Sequence, residues 1–281
     1  MRAPLAIEET GRGEPLVLLH GIATDRHIWE LVTPLLAARR RVIAVDLPGF
    51  GASAPAGEEF DLERVAFSIA RALTAQGILE PFDLVGHSLG GGVALTLAAR
   101  GPGAVRRLVL VAPAGLKPMS PRVAAVLASA ADTVIAARRG AAPLTDLAWG
   151  RRLLLRGVVA NGAGLPPALA RQMVRASATA LRTAPALRTI ATADLRPLLT
   201  EAKVPLGVIW GELDQTMPVE TLTQVVAVRP DAMVARLRRA GHVPMVERPL
   251  AFVEALEWLL DELPNVLRDE TTTSGMHRML L

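Results

Sequence analysis

Short apolar runs alternate with amphipathic stretches along the first 115 residues of the chain and again beyond residue 200. Pro15-Leu-Val-Leu-Leu-His20 and Arg41-Val-Ile-Ala-Val-Asp46 have the length and uniform apolar content of buried strands. Phe82–Gly86, Arg107–Val111, Pro205–Trp210 and Met233–Leu237 read the same way. Between and after them, Ile28–Ala38, Asp61–Ala75, Gly90–Arg100, Val219–Val228 and Leu250–Leu260 carry helical patterns. The clearest is the stripe Leu62, Val65, Ala66, Ile69 and Leu73. This alternation predicts an α/β fold with a mostly parallel central sheet and helices on both faces.

The rhythm stops after Gly115. From Leu116 to Thr200 no strand is predicted, and helical patterns run near Pro121–Arg138, Leu144–Leu155, Pro167–Leu181 and Ala186–Ala193. Turn signals such as Asn161-Gly-Ala-Gly164 and Pro166-Pro167 separate them. The expected organisation is a sheet domain made of residues 1–115 and 201–263, interrupted by an all-helical insert at 116–200. The polar segment 264–281, with Thr271-Thr-Thr-Ser-Gly275, is expected to be a mobile tail.

Composition narrows the function classes. The chain has 281 residues, 51% hydrophobic and 21% charged, which fits one large globular domain or a domain with an insert. Cysteine is absent, so disulfides, a thiolate nucleophile and Cys-ligated zinc are excluded. The formal charge is +4, and the short clusters Arg39–Arg41, Arg138–Arg139 and Arg151–Arg152 read as solvated surface without a nucleic-acid recognition motif. Glu8 and Glu9 stand where a secretory signal would need an apolar core, and nothing supplies the uninterrupted apolar run of a membrane helix. A cytoplasmic protein without stable membrane insertion is expected; oligomeric state is not readable.

Gly86-His-Ser-Leu-Gly90 has the form G-x-S-x-G between a predicted strand and a predicted helix. A serine on such a sharp turn is lifted above the sheet edge, and its neighbours must be small, hence Gly86 and Gly90. A serine hydroxyl needs a base to become nucleophilic, and the base needs an orienting acid. Of His20, His27, His87, His242 and His277, only His242 follows the last strand in a loop where α/β sites form. His87 is expected to point away on the tight turn, and His20 to tether its loop. Asp214, in Trp210-Gly-Glu-Leu-Asp214, is the preferred acid and Glu212 its rival. For a tetrahedral oxyanion, the main-chain N–H groups of Leu89 and Ile22 are the expected donors.

Leu19-His-Gly21, Asp46-Leu-Pro-Gly-Phe-Gly51 with Ser53, Gly86–Gly90, Trp210–Asp214, and Gly241-His-Val-Pro244 with Glu247 and Pro249 together resemble the α/β-hydrolase superfamily. The closest likeness is to its single-chain serine hydrolases and esterases with a helical cap, over about residues 15–260. The resemblance implies Ser88 as nucleophile, His242 as base, Asp214 as acid, and Ile22 and Leu89 as oxyanion donors, with the insert as cap. It implies a serine esterase acting through an acyl-enzyme on a small hydrophobic ester, with no cofactor, metal or nucleic acid. Its activity should fall on acidification as the base takes up a proton. The superfamily also contains carbon–carbon bond hydrolases of ring-cleavage products, cofactor-free haloperoxidases or perhydrolases, acyltransferases, and idle ligand-binding proteins. Carbon–carbon hydrolases usually carry asparagine where His87 stands and tryptophan where Val243 stands. Apolar stretches of the insert, Val123–Ala131 and Leu153–Val159, are expected to supply part of an acyl pocket. Arg151, Arg152 and Arg156 are expected at the surface.

Overall fold

The computed structural model describes residues 5–101 and 103–265. Seven strands form one sheet: β1 (Ile7–Thr10), β2 (Pro15–Leu19), β3 (Arg41–Val45), β4 (Phe82–His87), β5 (Val105–Val111), β6 (Leu206–Gly211) and β7 (Met233–Leu237). Their order is β1-β3-β2-β4-β5-β6-β7. β1 runs antiparallel to β3, and every other pair is parallel. β4 therefore lies centrally, hydrogen-bonded to β2 on one side and β5 on the other. Every residue of β2, β4, β5 and β6 is buried, as sheets covered on both faces require.

Two apolar clusters cover the two faces of the sheet. One includes residues of α2 (Leu62–Ala75), α3 (Leu89–Arg100), α8 (Arg196–Glu201) and α9 (Leu222–Val228). The other includes residues of α1 (Thr33–Leu36), α10 (Pro244–Glu247) and α11 (Pro249–Glu262). α2 begins at Asp61, whose carboxylate accepts the Arg64 N–H. The predicted helix Ile28–Ala38 is instead a 3-10 turn, Arg26–Trp29, followed by the single turn of α1 around Pro34. Proline has no N–H to offer the preceding turn, which splits the pattern.

Between β5 and β6 lie α4 (Pro121–Ala141), α5 (Ala148–Leu154), α6 (Pro167–Thr179), α7 (Thr183–Thr192) and α8, with no strand among them. Residues from this stretch join both clusters: Leu116, Ala186 and Ile190 in the first, and Leu155, Val159, Leu169 and Met173 in the second. Val123, Val126, Leu127 and Leu153 are exposed, whereas Leu155 and Val159 are buried. Arg151 is not at the surface. It is buried, and its guanidinium donates to the carbonyls of Thr145, Asp146 and Ala163. Arg40, also expected to be solvated, is buried against Glu257 and Asp83. Asp83 at the start of β4 is fully buried and accepts from Arg40, Arg106 and Arg107. Most of the expected mobile tail, residues 266–281, lies outside the described residues.

Candidate active site

Ser88 links the last residue of β4 to the first turn of α3, with φ 52° and ψ −115°. A non-glycine residue in that region is strained, at a cost of about 1–3 kcal/mol. The surrounding backbone holds it there. Its N–H donates to the Val111 carbonyl at 2.9 Å, and its own carbonyl accepts from Gly91 and Ala114 at 2.9 and 3.0 Å. The flanking glycines are required by space. A Cβ on Gly86 would lie 2.4 Å from the Gly90 carbonyl oxygen, and one on Gly90 would lie 2.4 Å from that of His20.

His242 follows β7 and Asp214 follows β6, so parallel neighbours deliver both to the carboxyl edge of the sheet. The His242 Nδ1 lies 2.7 Å from Asp214 Oδ2, and both residues are buried. Asp214 Oδ1 accepts two main-chain N–H groups, from Thr216 and Met217, each at 2.8 Å. The carboxylate is thus fixed on one side by the backbone and presents its other oxygen to the imidazole. With Nδ1–H donated to Asp214, Nε2 keeps its lone pair. Glu212 is exposed and lies 3.8 Å from Arg236, away from this contact.

His87 turns out to be part of the site. It is buried, its ring centroid lies 4.7 Å from that of His242, and its Nε2–H donates to the His242 carbonyl at 2.8 Å. Its Nδ1 is buried without a hydrogen-bond partner. Burial first, then the neighbouring His242, holds the His87 imidazole well below the usual histidine range, so the ring is neutral. The sequence placed His87 on the turn but could not show this contact, which spans 155 residues of chain.

Gly21 closes the third side. A Cβ there would lie 2.8 Å from His87 Nδ1 and 3.2 Å from Ser88 Cβ, so the Gly21–Ile22 backbone packs directly on the elbow. Among the described residues, neither the Ile22 N–H nor the Leu89 N–H donates to a protein acceptor. Leu89 also opens α3, where free amides and the helix dipole favour negative charge. His20 braces the loop: its Nε2 accepts the Leu47 N–H at 2.9 Å, which leaves Nδ1–H to donate to the Gly21 carbonyl at 2.7 Å. Asp46 accepts from Arg26 and Ala52, and Ser53 donates to the Asp46 carbonyl, which ties the following turn beneath that loop.

A family model described as alpha/beta hydrolase fold matches residues 14–249. The chain belongs to the α/β-hydrolase family. A pimeloyl-[acyl-carrier protein] methyl ester esterase of Methylococcus capsulatus is 35% identical over 86% of this chain and 92% of that protein. A 2-hydroxymuconate semialdehyde hydrolase of Pseudomonas sp. is 45% identical over a shorter stretch, 39% of this chain and 40% of the relative. The solved structure of a thermophilic esterase from Thermogutta terrifontis superposes with a TM-score of 0.74 at 25% identity, covering 92% of this chain and 93% of that one. A carboxylic ester hydrolase is the enzyme class that fits these relatives. Among the described residues no helix is long and apolar enough to cross a membrane.

Proposed function

We propose that the protein hydrolyses a carboxylic ester through an acyl-enzyme on Ser88. The observation that carries this reading is the buried 2.7 Å contact between His242 and Asp214 at the sheet edge where the strained Ser88 elbow lies. His242 Nε2 takes the hydroxyl proton as Ser88 Oγ attacks the ester carbonyl. Asp214 holds the imidazole in the tautomer that leaves Nε2 free and stabilises the imidazolium. The N–H groups of Ile22 and Leu89 receive the oxyanion. Collapse of the tetrahedral intermediate breaks the ester C–O bond, and the imidazolium protonates the departing alcohol. Water, deprotonated by the same imidazole, then attacks the acyl-enzyme and releases the acid and Ser88.

The insert at 116–200 is proposed as a cap over this edge. It also bears on substrate identity. Residues 116–200 carry twelve Lys and Arg against three Asp, a net +9, while the rest of the chain is net −5. Lys117, Arg122, Arg152, Arg156, Arg175 and Arg188 are exposed. Such a local excess of positive charge attracts an acidic partner. Together with the relative's named substrate, this favours a small apolar acyl methyl ester presented on an acyl carrier protein.

Wild type and Ser88→Ala compared on nitrophenyl esters and on a carrier-bound acyl methyl ester, with fluorophosphonate labelling read by intact mass, test the proposal. Turnover and one label are expected in wild type. Loss of the label and a fall in turnover of roughly 10⁵–10⁶-fold are expected in the variant. Turnover retained in Ser88→Ala refutes the assignment. Labelling without ester turnover, accompanied by cleavage of a ring-cleavage dienoate, would favour the carbon–carbon hydrolase reading suggested by the shorter match.

A further inference from the structure

Four consecutive residues of the insert, Gly157–Ala160, lie across the loops that carry Asp214 and His242. Thr216 Oγ1, two residues beyond Asp214, donates to the Gly157 carbonyl at 2.8 Å. The His242 N–H donates to the Val158 carbonyl at 3.0 Å. The Ala160 N–H donates to Glu247 Oε2 at 2.7 Å, and the other oxygen of the same carboxylate accepts the Gly241 N–H at 2.8 Å. The approach is close. A Cβ on Gly241 would stand 2.7 Å from the Ala160 nitrogen and 2.9 Å from Glu247 Oε1, so only glycine fits there.

The peptide groups around His242 are therefore held at both ends. Its N–H is bound by the insert and its carbonyl by His87 of the elbow turn. Glu247 joins the preceding residue, Gly241, to the same segment of the insert. We propose that Glu247 is a positioning residue for His242, acting with the Gly157–Ala160 strap so that the base takes its working position only when the insert is seated. This rests on the triad reading given above. Glu247 does this through main-chain contacts and touches no reacting atom. Burial raises its carboxyl above the usual glutamate range, and the main-chain N–H groups of Ala160, Gly241 and Val243 oppose that shift and favour the carboxylate. Displacing a reacting group by about 1 Å costs on the order of 10²-fold in rate, which sets the scale of the effect.

The test measures kcat, KM and melting temperature for Glu247→Ala, Glu247→Gln and Thr216→Val on a short nitrophenyl ester, beside wild type and Ser88→Ala. In Glu247→Ala, kcat is expected to fall by roughly 10- to 100-fold with KM within about twofold, because orientation and not binding is lost. Glu247→Gln is expected to recover part of the rate, since its carbonyl oxygen replaces one of the two acceptors. Thr216 is exposed, so Thr216→Val leaves the fold intact while removing the bond to Gly157, and kcat is expected to fall by about 3- to 10-fold. A folded Glu247→Ala enzyme with wild-type kcat overturns the proposal. If Glu247→Ala does not fold, a wild-type kcat in Thr216→Val overturns it instead. The two readings fail separately: an active Ser88→Ala removes the triad, whereas an inactive Ser88→Ala beside a fully active Glu247→Ala removes only the strap.

Discussion

Asp214→Asn changes one atom and should still cost most of the rate, for a reason visible in the hydrogen bonds. Asp214 Oδ1 accepts from the main-chain N–H groups of Thr216 and Met217. An asparagine here must turn its carbonyl oxygen to those two donors, because its amide NH₂ facing them would place N–H against N–H. That orientation aims the NH₂ at His242 Nδ1, where Asp214 Oδ2 now accepts at 2.7 Å. The imidazole must then accept at Nδ1, and its proton moves to Nε2. The base arrives already protonated on the nitrogen that should receive the Ser88 proton. The expected loss in kcat is about 10⁴-fold, or roughly 5.4 kcal/mol at about 1.36 kcal/mol per decade. Both main-chain bonds to the side-chain oxygen survive, so urea unfolding should change little. The assay is steady-state hydrolysis of a nitrophenyl ester at neutral pH, with Glu212→Gln as the control for the other carboxylate of the loop. Glu212 is exposed, and its variant should keep kcat within about twofold. A folded Asp214→Asn enzyme within tenfold of wild type, or a large loss in Glu212→Gln alone, would refute the assignment of the acid.

Two further predictions concern stability. Asp83→Asn leaves the Arg40, Arg106 and Arg107 guanidiniums around an uncharged group at a fully buried position. A loss of about 3–5 kcal/mol is expected in urea unfolding, with kcat unchanged, since Ser88 lies five residues further along the chain, about 16 Å for an extended strand. A loss below about 1 kcal/mol would mean that the cluster is solvated and not structural. Burial also holds His87 and His20 below the usual histidine range in the folded protein. As pH falls below about 6.5, the unfolded chain takes up protons that the folded chain refuses. Stability should therefore decline on acidification through that range, by up to about 1.4 kcal/mol per pH unit for each such histidine. His87→Asn should have a shallower slope between pH 7.5 and 5; a slope parallel to wild type removes His87 as a contributor.

The six parallel strands were legible because each carries a short, largely apolar run; in β2, β4, β5 and β6 every residue is buried, as coverage of both sheet faces demands, whereas β7 is only half-buried over most of its length. β1 was not. Ile-Glu-Glu-Thr at an antiparallel edge has only Ile7 half-buried, and its pairing with β3 is a contact at a distance that no local pattern encodes. α8 is six residues with Pro197 near its start, too short for a periodic signal. The strand–turn–helix at Ser88 and the loops after β6 and β7 that carry Asp214 and His242 could be located from sequence, since each carries residue types tied to one local backbone shape. Their supports could not. His87 reaches across 155 residues and Glu247 across 87, and Arg40, Arg106 and Arg151 are buried only because partners from other elements meet them. An arginine cluster read locally is a solvated patch, and only tertiary structure shows which members have a carboxylate or a carbonyl beside them.

The placement of strain explains why the Ser88 turn sits at the end of β4. A serine held at φ 52° relaxes unless neighbours over-determine it. Only a central strand has hydrogen-bonded neighbours on both sides, and here β5 supplies Val111 and the following Ala114 as partners to the Ser88 backbone, while β2 delivers Gly21 against its Cβ. The connection after β2 also brings the Ile22 N–H to that end of the sheet, where the turn from β4 into α3 already places the Leu89 N–H. An edge strand would offer one side only, and the serine would lose either the hydrogen bonds from the β5 side or the packing of Gly21 from the β2 side. β6 and β7, one and two strands beyond β5, then place Asp214 and His242 at the same edge. Those loops hang from the less covered end of the sheet, where β7 is only half-buried over most of its length. His242 at that end is braced from outside: the insert supplies the Val158 carbonyl to its N–H, and the insert's Ala160 N–H donates to Glu247 of α10. Ser88 is thus held by the sheet itself and His242 by what crosses over it, so motions of the insert should alter the position of His242 while leaving Ser88 unmoved.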